Sequence, residues 1–146
     1  MAHNYGYEHL KRQGFKVHRD LASLSEKKFH GIVMIDVWEH LTEPWTILSL
    51  LYGLLPSGGW LYIATPNPLG LNARLRGDRW REACKEGHLM FPEPCTLERM
   101  LQEVGFSRWK RVKWLIRYSI NPAKIIMHWG MQLLGLDGEL RYIAWK

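Results

Sequence analysis

"GIVMIDVWEHL", residues 31–41, decides the fold. Residues 31–37 form a β-branched and apolar run interrupted only by Asp36. Continuous runs of this kind belong to parallel strands covered on both faces, whereas half-wet strands alternate apolar with polar residues. Asp36, Glu39 and His40 then follow where the apolar run gives out. In an open α/β sheet, ligands bind at that carboxyl end of the strands.

Working outward, Trp45, Leu48, Leu51 and Leu55 recur at helical spacing after Thr42 and Pro44, which predicts a crossover helix over 42–55 capped by Thr42. "PSGG" at 56–59 is turn chemistry, and "WLYIATPN" at 60–67 reads as a second buried strand stopped by its proline. Upstream, Tyr7, Leu10 and Phe15 with Gly14 predict a helix over 3–13, and "FKVHRD" at 15–20 a strand. Residues 68–94 hold no period beyond a short helix, and a loop of that length in a compact domain is usually a lid or a binding segment. Thr96 is read as the cap of a helix carrying Leu97, Met100, Leu101 and Val104 up to Gly105. A strand is expected at 108–118, with Val112, Trp114, Ile116 and Tyr118 alternating with Arg111, Lys113 and Arg117. A helical insertion at 119–137, centred on 122–134, and a final strand "GELRYIAWK" at 138–146 complete the pass.

One domain is expected from 146 residues, 47% of them hydrophobic. The opening residues have no signal-peptide pattern and no apolar run reaches about 18 residues, so the reading is cytoplasmic. Cys84 and Cys95 lack the spacing of a metal site or disulfide scaffold and are read as reduced thiols. Residues 1–73 carry six Lys/Arg against six Asp/Glu, and residues 74–146 carry fourteen against eight. The whole excess of the +6 chain thus lies in its second half, which favours anions unless it is simply a solvated basic face.

Taken in order, "FHGIVMIDVWEHLTEPWTILSLLYGLLPSGGWLYIATPN", "GHLMF" and "TLERMLQEVGF" resemble the C-terminal two-thirds of a class I S-adenosylmethionine-dependent methyltransferase, akin to the ubiquinone-biosynthesis O-methyltransferases. The resemblance implies an α/β fold: an incomplete Rossmann-like sheet, mostly parallel with its last strand antiparallel and flanked by helices. It implies S-adenosylmethionine as cofactor and methyl transfer to a small-molecule acceptor. Asp36, Val37, Trp38 and Glu39 would border the methionine end of the cofactor, and Asp20 its adenine. Asn67, with Arg74, Arg76, Arg79, Arg81 and Trp80 in the lid, would hold the acceptor, the arginines gripping a carboxylate or phosphate. His88, with His40, is the candidate base, although positioning supplies most of the acceleration in an in-line methyl transfer. The bland alternatives are that the acids merely end a strand, that Glu39 and His40 pair locally at a helix start, and that His88 and Trp80 only pack beneath the lid. No resident metal is assigned. Asp36, Glu39 and His40, a D-x-x-E-H pattern where some quinone-pathway relatives carry E-x-x-E-H, form the alternative cation triad.

The family's glycine-rich turn and the acid that holds the ribose have no counterpart in these residues, which implies a truncated domain whose leading strands come from an upstream segment or a second chain. His30 stands where relatives usually carry an aspartate. Two other readings stay beside the enzymatic one: a catalytically silent remnant or accessory subunit, and an RNA-binding methyltransferase fragment acting through the basic half. Neither nucleic acid nor a membrane is the expected partner. The apolar face of the inserted helix, Ile125, Ile126, Trp129, Leu133 and Leu134, is expected to dock rather than to meet lipid.

Overall fold

The computed structural model describes residues 2–24, 28–113 and 122–146, with the side chains of residues 2–5, 22 and 128 excepted. The elements are α1 (Ala2–Arg12), β1 (Gly31–Ile35), α2 (Pro44–Leu54), β2 (Trp60–Pro66), α3 (Leu71–Arg76), α4 (Pro94–Val104), β3 (Arg108–Arg111), α5 (Pro122–Leu133) and β4 (Glu139–Trp145). Short 3-10 turns lie at Ala22–Leu24, Trp38–His40 and Gly77–Arg79.

The apolar runs pair as parallel neighbours, Gly31 opposite Trp60 and Ile35 opposite Ala64. β4 then inserts between β2 and β3 and runs antiparallel to both, which gives the order β1-β2-β4-β3. Three strands therefore share a direction and the last opposes them, as expected. α2 and α4 cover one face of this sheet. Leu48, Leu51 and Leu54 of α2 and Leu97, Met100 and Leu101 of α4 close over Met34, Leu61, Ile63, Leu140, Tyr142 and Ala144. Burying each such aliphatic side chain stabilises the fold by about 1.5–3 kcal/mol. On the opposite face Val33 and Ile35 are exposed, and among the described residues β1 has a strand neighbour on one side only.

Both main helices begin differently from the sequence expectation. Thr42 and Thr96 are not their caps. Pro44 and Pro94 open the first turns after Glu43 and Glu93, without side-chain capping bonds. Proline has its backbone angle already set and lacks the N–H that would be left over at a helix start. α4 stops at Gly105, whose φ of 111° suits a residue without Cβ and whose N–H reaches back to Leu101 and Gln102.

The expected strand at 15–20 is absent: those residues are irregular and Phe15 lies open to solvent. An extended segment without a ladder partner cannot satisfy its backbone as a strand, and β1, its nearest candidate, is paired only to β2. The strand predicted over 108–118 appears as Arg108–Arg111, and residues 114–120 fall outside the described residues. The lid segment 68–94 holds α3 and the turn at Gly77–Arg79, and the described part of the insertion holds α5.

Candidate active site at the carboxyl ends of the parallel strands

β1 and β2 deliver their carboxyl ends side by side, and a cleft of about 610 Å³ opens there. Asp36 stands on one wall, directly after β1. Its N–H donates to Ala64 O at 3.0 Å, and its φ of 51° is the one positive value among the described non-glycine residues. Short polar residues enter this left-handed region most readily, still at a cost of order 1 kcal/mol. The floor comes from Pro66 at the end of β2, Asn67 just after it, Gly138 just before β4 and Glu139 at its start. The lid contributes Asn72, Arg76, Trp80, Arg81, Glu82 and Lys85. The cleft is thus acidic along the strand ends and mainly basic along the lid.

Asn67 is a brace within this floor. Fully buried, it donates through Nδ2 to Asp137 O at 2.7 Å and Gly135 O at 3.2 Å, while Oδ1 accepts from Leu69 N–H at 3.0 Å. Its amide is occupied on both ends, so it shapes the cleft rather than presenting free groups to an acceptor. Behind it Asp137 is paired with Arg111 at 2.7 Å and lies 3.7 Å from Arg141, which also pairs with Glu139.

A second cluster lies beside the cleft. The Trp38–His40 turn buries Glu39 to 1% exposure, where Thr65 Oγ1 donates to its carboxylate at 3.0 Å. The Glu39 carbonyl accepts the Leu89 N–H at 2.7 Å, which draws the lid's far end over the turn. His40 Nδ1 lies 2.7 Å from the Gly87 carbonyl. A carbonyl only accepts, so Nδ1 carries the hydrogen and Nε2 keeps its lone pair. His88 packs edge-on to His40 with ring centroids 4.7 Å apart, and its side chain is 6% exposed. The buried His88 Nδ1 has no hydrogen-bond partner, the Glu82 carboxylate being 4.0 Å away. One donor atom each from Glu39, His40 and His88 lies within 4.8 Å of the others. One carboxylate and two imidazoles make a donor set that divalent first-row cations accept, and the orphaned His88 nitrogen fits such an ion.

The sequence-derived candidates are distributed unevenly. Asp36, Asn67, Arg76 and Trp80 line the cleft, and Trp80 leans on Phe91 with centroids 4.8 Å apart. Arg74 and Arg79 are exposed on the lid and do not line it, and Val37 and the exposed Asp20 also stand outside its lining. Trp38 is completely buried in the core with Nε1 unpartnered, which places its side chain behind the site. The alternative triad needs one correction, for His88 replaces Asp36 beside Glu39 and His40. Sequence reasoning missed Asn72, Glu82, Lys85, Glu139 and Thr65. Of these, Thr65 alone had a signal, as the hydroxyl residue of "TPN" at 65–67.

The family model described as "Methyltransferase domain" matches residues 2–110. Among solved structures, a SAM-dependent methyltransferase from Archaeoglobus fulgidus is similar with a TM-score of 0.62 at 22% identity, covering 89% of this chain and 66% of its own. A SAM-dependent methyltransferase of Thermotoga maritima, described as a possible histamine N-methyltransferase, is similar at 0.66 and 14% identity over 93% of this chain and 66% of its own. A protein described as a putative methyltransferase from Bacillus halodurans is similar at 0.53 and 13% identity, over 94% and 74%. The chain therefore spans just under two thirds of the length of the first two. No curated protein matches it.

Proposed function

The chain belongs to the methyltransferase-domain family, and on that premise we propose that it serves S-adenosylmethionine-dependent methyl transfer to a small anionic acceptor. One observation carries the reading: a cleft at the carboxyl ends of β1 and β2 sets Asp36 and Glu139 on its strand side and Arg76, Arg81 and Lys85 on its lid side. When bound, the cofactor supplies a methyl carbon activated by a sulfonium. The acidic side suits that cation, with Asp36 held in place by the Ala64 carbonyl. The basic side suits a carboxylate or phosphate on the acceptor, with Arg76 and Arg81 as planar donors and Lys85 as a point charge. Trp80 and Phe91 give the lid an apolar lining that excludes water near the acceptor.

The deprotonating group on this reading is an imidazole. His40, with Nδ1 engaged by the Gly87 carbonyl, leaves Nε2 as the nitrogen for the acceptor's proton, and His88 stands against it. A second reading joins the same pair to Glu39 as a divalent-cation site, favoured by the unpartnered His88 Nδ1 and by a carboxylate of 1% exposure that accepts from the neutral hydroxyl of Thr65. A cation held there would polarise an acceptor oxygen.

Calorimetric titration of the chain with S-adenosylmethionine and S-adenosylhomocysteine tests the proposal. Saturable heat that Asp36→Lys abolishes is the expected result. Absence of heat at millimolar ligand overturns activity of these residues on their own.

A further inference from the structure

We propose that α5 and the neighbouring start of the lid form a docking surface for an anionic lipid bilayer. The sequence reading expected the apolar side of α5 to dock. It lies open instead. Ile126, Trp129 and Leu133 follow one another at i, i+3 and i+7 and are 68%, 41% and 72% exposed, with Met127 and Leu134 exposed beside them. Ile125, half-buried, and Gln132, buried, lie about 100° round the helix from Ile126 and Leu133. The Leu71 N–H donates to Leu136 O at 2.9 Å, which ties the first turn of α3 to the turn that follows α5. One helical turn further Leu75 is 76% exposed. Ile126, Met127, Trp129, Leu133 and Leu134 thus reach solvent within one helix and its end, more than the scattered apolar residues of an ordinary surface.

Charge selects the occupant. Between Glu103 and Asp137 the sequence holds six Lys/Arg and no acid. Lys124 is exposed on α5, and Lys113 reaches its last turn by donating to Leu133 O at 3.1 Å. Arg74 and Arg79 are exposed on the lid. A helix with Trp and Leu on its apolar stripe, Lys124 on its far face and no carboxylate has the composition of one lying in the headgroup region of an anionic leaflet. A second copy of this chain would bring like charges together across the contact. Nucleic acid would leave the Ile, Leu and Met side chains in water, where it prefers aromatic platforms. Among the described residues no helix is long and apolar enough to cross a membrane, so the surface lies on the bilayer.

Flotation of the chain with vesicles tests this. The expected result is co-flotation with phosphatidylcholine vesicles containing about a third phosphatidylglycerol, a blue shift of tryptophan emission, and release as salt rises through the range where the Debye length falls below about 10 Å. Ile126→Glu with Leu133→Glu is expected to weaken vesicle binding at least about tenfold, with the far-ultraviolet spectrum and melting temperature unchanged because both side chains face solvent. Lys124→Glu, a single exposed change, is expected to weaken binding to the anionic vesicles alone. The proposal is overturned if the chain stays unbound at low salt, or if neither variant changes binding. It is equally overturned if sedimentation shows a dimer that the double variant dissolves, or if RNA binds through these residues in preference to vesicles. None of these outcomes depends on methyl transfer.

Discussion

Thr65, at the end of β2, donates a 3.0 Å hydrogen bond to the buried carboxylate of Glu39, 26 residues earlier in the chain. That bond joins the strand end to the turn carrying His40, and so ties the sheet to the histidine pair. Thr65→Val keeps the shape and removes the donor. It is expected to destabilise the protein by about 1–3 kcal/mol, the desolvation cost of a buried acceptor left unpaired, read from urea unfolding. An unchanged midpoint would mean that Glu39 is supported elsewhere.

A divalent cation at Glu39, His40 and His88 would bind the folded state alone. Saturation with Mn²⁺ or Zn²⁺ at about a hundred times its dissociation constant is expected to add about 2.7 kcal/mol of stability. Equal melting shifts in the wild type and His88→Gln would show that the ion sits elsewhere, and no shift would remove the site.

Asp36 combines a strained backbone with a position on the cleft wall. Asp36→Gly relieves the left-handed φ while adding freedom to the unfolded chain, so stability is expected to stay level or rise by up to about 1 kcal/mol. Cofactor affinity is expected to fall in the same variant. Thermal melting and calorimetry on one sample would show the two moving apart. A fall in both would make Asp36 a structural residue.

Burial first, and then its 2.6 Å hydrogen bond to Glu98, push the phenol of Tyr142 well above its ordinary value. The folded state keeps the proton longer than the unfolded chain does. This stabilisation is therefore complete below about pH 10 and declines as pH rises beyond it. Tyr142→Phe is expected to lower neutral-pH stability by about 1 kcal/mol and to flatten the alkaline decline. Parallel pH profiles for the two proteins would contradict this origin.

Asn67→Ala frees the carbonyls of Gly135 and Asp137 from their brace. A loss of about 2 kcal/mol is expected, with weaker ligand binding because Gly138 and Glu139 share the cleft wall. Normal binding in a destabilised protein would confine Asn67 to the fold.

How far these features could be read in advance depended on the range of the interactions. The runs at 31–37 and 60–67 announced buried parallel strands because burial on both faces leaves a local compositional mark. Asp36 could be placed at the strand end for the same reason, and the cleft opens there. The segment at 15–20 carries similar apolar residues, yet a strand also needs a neighbour, and pairing is not local information. Prolines 44 and 94 outweighed the nearby threonines as helix starters, a competition that residue preferences alone do not resolve. The cation cluster misled for a related reason. D-x-x-E-H suggested three neighbours in sequence, but the lid folds back so that Leu89 and Gly87 bond to Glu39 and His40 and bring His88 in Asp36's stead. Lys85 and Glu139 join the cleft in the same way, through chain reversals with no periodic signature.

β4, the last of the four strands to be synthesised, lies between β2 and β3. Until residues 139–145 have been synthesised, β2 and β3 have no common neighbour. A nascent chain halted before that point carries Asp36 yet lacks Glu139 from the cleft wall, and its β2 shows the edge that β4 would cover.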